Sequence, residues 1–203
     1  FGGAGYGLAK GLCSAGLQGI HFHDRMQETK PYAEVISRHA DEIGATKAST
    51  IGELLSRTEM VISCVTGALA ISVAKEASPF LRQGHLYIDV NTSSPNVKET
   101  VAGIVEKTGA AFVDAAMMGA IPAFLHRVPI LASGGGAARF LECMQPYGMN
   151  IIVIGAKAGQ ASAIKMFRSI FMKGLFSLFL ETLTATHRYG VDELVLGSIA
   201  KSL

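Results

Sequence analysis

The chain has 203 residues, of which 49% are hydrophobic and 17% charged, and its formal charge is +2. A chain of this size and apolarity buries a substantial core and has room for one domain plus part of another. The small net charge, with no basic cluster interleaved by aromatics, excludes the electrostatic footprint of a nucleic-acid binder.

The opening residues Phe1-Gly2-Gly3-Ala4-Gly5-Tyr6-Gly7 form a glycine-rich turn, followed by a helix over Leu8 to Ala15. Glycines at a strand-to-helix turn let the backbone approach a pyrophosphate, which then sits at the positive helix end among free N–H groups. Of the fingerprint GxGxxG, only the second and third glycines are matched, as Gly2 and Gly5. The first glycine and its strand are therefore expected upstream of Phe1; the alternative is a flexible loop.

A strand over Ile20 to His23 then ends in Asp24, 19 positions past Gly5. That spacing suits a carboxylate accepting hydrogen bonds from the adenine ribose hydroxyls. Arg25 offers the opposite chemistry, a guanidinium for the 2′-phosphate of NADP. The pair tilts the cofactor towards NAD while leaving NADP open, and a solvated turn is the plain alternative. His21 and His23 share a strand face, but no Cys or carboxylate pattern completes a metal site. Cys13, Cys64 and Cys143 are odd in number and widely separated, which suits small core residues in a reducing compartment and hence a cytoplasmic protein.

The pattern continues with a helix over Pro31 to Ile43, ended by Gly44. Apolar runs at Met60 to Val65 and Leu86 to Val90 read as strands buried on both faces. Ser94 caps a helix that has Pro95 at its first position and runs to about Thr108. Strands follow at Ala111 to Asp114, Val128 to Ser133 and Ile151 to Ile154. Strand–helix alternation of this kind predicts an α/β fold with a doubly wound, Rossmann-type parallel sheet lacking its first strand, over residues 1–156. Ligands of such a sheet bind at the carboxyl ends of its strands, where the glycine turn and Asp89 to Thr92 both fall.

From Gly159 to Tyr189 the pattern becomes one long helix. Its apolar residues spread round the circumference, and Lys165, Arg168 and Lys173 break up any membrane span. Residues 157–203 are thus expected to begin an all-α second domain that is incomplete here and that pairs with a second copy as a homodimer.

Four segments carry a family resemblance. The glycine turn is the first. Asp89-Val90-Asn91-Thr92-Ser93-Ser94-Pro95 is similar to the substrate segment Asp-x-Ser-Thr-x-x-Pro, with Asn91 in place of Ser. Val113-Asp114-Ala115-Ala116-Met117-Met118-Gly119-Ala120 resembles the stretch beginning Asp-Ala-Pro-Val-Ser-Gly-Gly, with Met118 for Ser and Ala120 for the second Gly. Gly159 to Ser169 resembles Gly-x-Gly-x-x-x-Lys-x-x-Asn-Asn, with Arg168-Ser169 for the Asn pair. These are motifs of the β-hydroxyacid dehydrogenases, the superfamily of 6-phosphogluconate and 3-hydroxyisobutyrate dehydrogenases. With His126-Arg127-Val128-Pro129, the departures look most like a little-characterised phosphogluconate dehydrogenase subgroup that has its own C-terminal domain.

The resemblance implies an oxidoreductase that moves a hydride between nicotinamide and a small β-hydroxy acid, semialdehyde or related carbonyl. Removing a hydride from an alcohol leaves a carbonyl, so a base must take the hydroxyl proton. Lys165 stands at the family's catalytic lysine, and burial beside Arg168 would lower its pKa towards the neutral form. By the same resemblance, Gly2, Gly3, Ala4, Gly5, Val65 and Thr66 touch the cofactor, and Asn91, Thr92, Met118, Gly119 and Arg168 the substrate. Each has a plainer alternative: a snorkelling lysine, a turn at Asn91-Thr92, core packing by Met118, and an ion pair for Arg168. A non-catalytic dinucleotide sensor of the same fold is the alternative function.

Overall fold

A computed structural model describes residues 1–202. The chain forms two compact units, Phe1–Ala163 and Ile164 onward. In the first unit α1 (Gly3–Ser14), β1 (His21–Phe22), α2 (Tyr32–Ile43), β2 (Thr46–Lys47), α3 (Ile51–Arg57), β3 (Met60–Ser63) and α4 (Ala70–Ala77) come first. They are followed by β4 (Leu86–Asp89), α5 (Pro95–Glu106), β5 (Ala111–Met117), α6 (Ile121–Phe124), β6 (Ile130–Ser133), α7 (Ala137–Met144) and β7 (Ile151–Gly155). The helices α8 (Gln160–His187) and α9 (Asp192–Ser202) complete the described chain.

The α/β architecture with a trailing all-α segment is as expected. β1 and β2 form a parallel pair, and β3-β4-β5-β6-β7 a five-stranded sheet in that order. The sheet departs from the all-parallel expectation at one place, where β5 and β6 run antiparallel. Their connection contains the four-residue α6 and a 3-10 turn at Leu125–Arg127, whereas a parallel return normally needs a longer crossover helix.

β4 is buried at all four positions, as a strand covered on both faces must be. Leu86 and Ile88 pack with Leu8, Leu12, Val113 and Phe140 on one side. Tyr87 packs with Leu55, Ala74, Val101 and Val105 on the other. Helix ends follow the local chemistry: Ser94 Oγ accepts the Val97 N–H at 3.4 Å, and Gly44 closes α2 with a left-handed φ of 66°. The helix expected from Leu8 starts earlier, because Gly3, Ala4 and Gly5 already form its first turn behind the extended cap Gly2.

Helix α8 is 28 residues long; from Ile164, in the second unit, its apolar side chains stay largely in the open, Phe167 at 63% and Phe171 at 68% exposure. No described helix is long and apolar enough to cross a membrane.

Candidate active site

The first unit contains a cavity of ≈ 750 Å³ between the edges of β1 and β3. Its floor is apolar, lined by Leu8, Leu12, Ile20, Met60 and Ile62. Such a floor suits an apolar strand or side chains rather than a phosphate. The polar chemistry lies on the rim, at Gly2 to Gly5, Asp24, Arg25, Thr66 and Glu76.

At that rim α1 offers its first turn. A Cβ added at Gly2 or Gly3 would meet nothing within 4 Å, so an incoming group reaches backbone N–H donors at a positive helix end. Gly5 faces the residue that follows β3: its added Cβ would lie in ordinary van der Waals contact, 3.5 Å from Cys64 Cβ. Burial pushes the Cys64 thiol up to about 12, with the Asp89 charge adding to the effect, which leaves it an inert packing group.

Asp24 follows β1 and is held by its own turn. One carboxylate oxygen accepts the Met26 N–H at 2.8 Å, and the Asp24 N–H donates to Gln27 Oε1 at 3.3 Å. Asp24 and Gly2 to Gly5 line the same cavity. Arg25 points to α4, where its guanidinium pairs with Glu76.

The residues beyond β3 and β4 are stapled together. The Val65 N–H donates to Asn91 Oδ1 at 2.6 Å, Asn91 Nδ2 donates to Ser63 Oγ at 3.0 Å, and the Asn91 N–H reaches Asp89 Oδ1 at 2.8 Å. Asn91 is buried, and its amide is engaged at both ends by β3 and the loop beyond it. An added Cβ at Gly67 would fall 2.1 Å from the Thr92 carbonyl. Only glycine lets the Val65–Gly67 loop lie this close to Asn91-Thr92.

Beneath the staple lies a charged cluster that sequence reasoning missed. Lys98 on α5 is fully buried; its Nζ donates to the Asp89 carbonyl at 2.7 Å and lies 3.1 Å from Asp89 Oδ1 and 3.4 Å from Asp114 Oδ1. Asp114 in turn accepts the Ser162 hydroxyl at 2.7 Å and the Ser162 N–H at 2.9 Å. It therefore caps the first turn of α8 with a carboxylate, the charge a helix N-terminus favours. Burial raises the Asp89 carboxyl above its usual range, and the Lys98 charge opposes that rise. One signal was present: Lys98 sits one turn before Val101 and Ala102, inside the apolar stripe of α5.

Met118 and Gly119 follow β5, where the Met118 N–H donates to the Pro129 carbonyl at 2.7 Å. An added Cβ at Gly119 would come within 3.3 Å of Phe124 and Val128. Lys165 and Arg168 lie one turn apart on α8, in the second unit. Lys165 is half-buried and Arg168 exposed.

Residues 1–155 match the family model described as the NAD binding domain of 6-phosphogluconate dehydrogenase. The chain belongs to this family. It is thereby a member of the β-hydroxyacid dehydrogenase superfamily. Human mitochondrial 3-hydroxyisobutyrate dehydrogenase is 31% identical over 98% of this chain and 58% of its own length. A conserved hypothetical protein from Sinorhizobium meliloti 1021 superposes with a TM-score of 0.90 at 30% identity, over 100% of this chain and 68% of that one. A conserved protein of unknown function, described as structurally similar to 3-hydroxyacid dehydrogenases, gives 0.84 at 36% identity, over 98% and 72%. The chain spans about half to two thirds of the length of the curated relatives it matches.

A nicotinamide dinucleotide fits the residues of this family member. The bare first turn of α1 has room for a pyrophosphate, and Asp24 stands at the neighbouring strand end with an oriented carboxylate.

Proposed function

We propose that this chain is the cofactor-binding part, with the first C-terminal helices, of an NAD-preferring dehydrogenase or reductase. Its substrate class is small β-hydroxy acids, their semialdehydes or related carbonyls. The carrying observation is the unobstructed glycine turn of α1 set beside the oriented carboxylate of Asp24. Human 3-hydroxyisobutyrate dehydrogenase, similar over nearly the whole chain, supports the substrate class.

In this reading the N–H groups of Gly2 to Gly5 bind the pyrophosphate, and Asp24 accepts the adenosine ribose hydroxyls. The Val65-Thr66 loop flanks the nicotinamide ribose. Asn91 supports that loop from below, and the neighbouring Thr92 contacts the substrate. The nicotinamide, when bound, accepts or supplies the hydride. Lys165 takes the hydroxyl proton in the oxidative direction and returns it in the reductive one. Arg168, one turn on, pairs with a substrate carboxylate, and Met118-Gly119 closes the pocket. The exposed apolar side chains of α8 are covered by a second copy of the protein.

Fluorescence titration of NADH and NADPH into the full-length protein tests the cofactor reading. Saturable NADH binding, weakened at least tenfold by Asp24→Ala, is the expected result; a folded protein that binds neither dinucleotide sinks the proposal. Turnover of 3-hydroxyisobutyrate and related 3-hydroxy acids, followed as NADH formation, tests the chemistry. Lys165→Ala is expected to lower kcat by about 10²–10⁴-fold and to leave NADH binding intact. Arg168-Ser169, standing where the family carries two asparagines, favours a second reading as a dinucleotide sensor. A sensor would bind NADH equally well with Lys165 or Ala and turn over nothing in the panel.

A further inference from the structure

The cofactor reading leaves one pair on the cavity rim unused. Arg25 is the natural partner for a 2′-phosphate, yet its guanidinium pairs with Glu76, which reaches it from α4, 51 residues on. Asp24, Arg25 and Glu76 all line the same cavity. We propose that Glu76 is a specificity-determining residue: by occupying Arg25 it sets the preference of this site for NAD over NADP. The inference rests on the dinucleotide reading of the α1 turn and adds to it the residue that chooses between the two cofactors.

The charges decide the sign. Asp24 presents a carboxylate to the position that a ribose hydroxyl or a 2′-phosphate would take, and a phosphate there meets like-charge repulsion. Arg25 could offset that repulsion with two parallel hydrogen bonds. While Glu76 holds the guanidinium, the three side chains together carry one negative charge, and a phosphate can recruit Arg25 only by displacing Glu76. A ribose diol needs neither residue, because its hydroxyls donate to Asp24 alone. Arg25 and Glu76 are 53% and 39% exposed, so water screens the pair and the effect is modest.

Exposed pairs of this kind correspond to changes of up to about fivefold in an equilibrium constant. The test is a titration of NADH and NADPH into the wild-type full-length protein and the variants Glu76→Gln, Arg25→Gln and their double. Both sites are on the surface, and Glu76→Gln keeps the length of the side chain it replaces. The wild type is expected to bind NADH more tightly than NADPH. Glu76→Gln should tighten NADPH about fivefold and leave NADH within twofold. The double variant should lose that gain, because the gain runs through the released guanidinium. A Glu76→Gln protein with an unchanged NADH-to-NADPH ratio overturns the proposal, as does a gain that survives in the double variant. A wild-type protein that binds neither dinucleotide refutes the cofactor reading itself, an outcome distinct from either.

Discussion

Lys98 shows what a single residue does in this fold. It is a cation at the centre of the first unit, within 3.4 Å of two carboxylates, and every other residue that α5 buries there is apolar. Removing one partner of a buried ion pair leaves an uncompensated charge and costs about 3–5 kcal/mol, whereas replacing the whole group with apolar residues is often neutral. Lys98→Met is therefore expected to lower the unfolding free energy obtained from urea denaturation by that order, because Asp89 and Asp114 would face each other without a cation. A loss of under about 1 kcal/mol would mean that the carboxylates protonate or rehydrate at little cost. The same cluster marks a limit of sequence reading. Asp24 and the glycine turn were legible because their spacing is itself the signal. Asn91 was read as a substrate ligand from its motif position, whereas its amide engages Ser63 and Val65, across a contact created only when β3 and β4 pair.

At the scale of elements, strong periodicity and caps were legible, as in α2, α5, α8 and the buried strand β4. The two-residue β2, the short α3 and α7, and the antiparallel return of β6 were not, because tertiary packing rather than local preference holds them. Helix α1 illustrates the difference. Gly7 and Gly11 stand one turn apart on its buried face. A Cβ at Gly7 would lie 2.3 Å from Ile121 Cγ2, and one at Gly11 would lie 2.2 Å from His126 Nδ1 and 2.8 Å from the His126 backbone nitrogen. Alanine gains up to about 1 kcal/mol over glycine in a helix, but overpacking costs about 1–3 kcal/mol, and here the obstruction includes backbone. Gly11→Ala should thus lower Tm by several degrees. Gly174→Ala in α8, where an added Cβ meets nothing within 4 Å, should leave Tm unchanged or raise it. Thermal melts of the two variants side by side separate packing from propensity, and equal shifts would refute the packing account.

Whole-molecule behaviour depends on both units. If α8 is covered by a second copy, a charge placed on its open face must break the assembly without touching the first unit. Phe171→Glu, at a side chain 68% exposed here, is expected to convert a dimer to a monomer in sedimentation while NADH binding persists. A wild-type protein that sediments as a monomer would end that proposal. Stability against pH is set inside the first unit. His85 and His126 are 1% and 5% exposed, and burial lowers both pKa values from 6.5, helped by Arg82 and Arg127 respectively. In the unfolded chain both take up a proton near pH 6.5, whereas in the folded state they stay neutral to lower pH. The unfolded state then binds more protons, so stability is fully present above 6.5. It falls as pH drops through that value towards the folded pKa, by at most about 1.4 kcal/mol per pH unit for each histidine. Carboxylates held low, such as Glu42 and Glu53, add their losses only at more acidic pH, whereas the Asp89 carboxyl, raised by burial, takes up its proton first in the folded state and offsets part of the decline, so a histidine variant is needed to isolate the ring contribution. Tm should be flat from pH 8 to 7 and decline below 6.5, and His126→Asn should make that decline shallower even though it lowers Tm at pH 8. A decline equally steep in His126→Asn and in the wild type would show that the His126 ring is protonated in the folded protein as readily as in water.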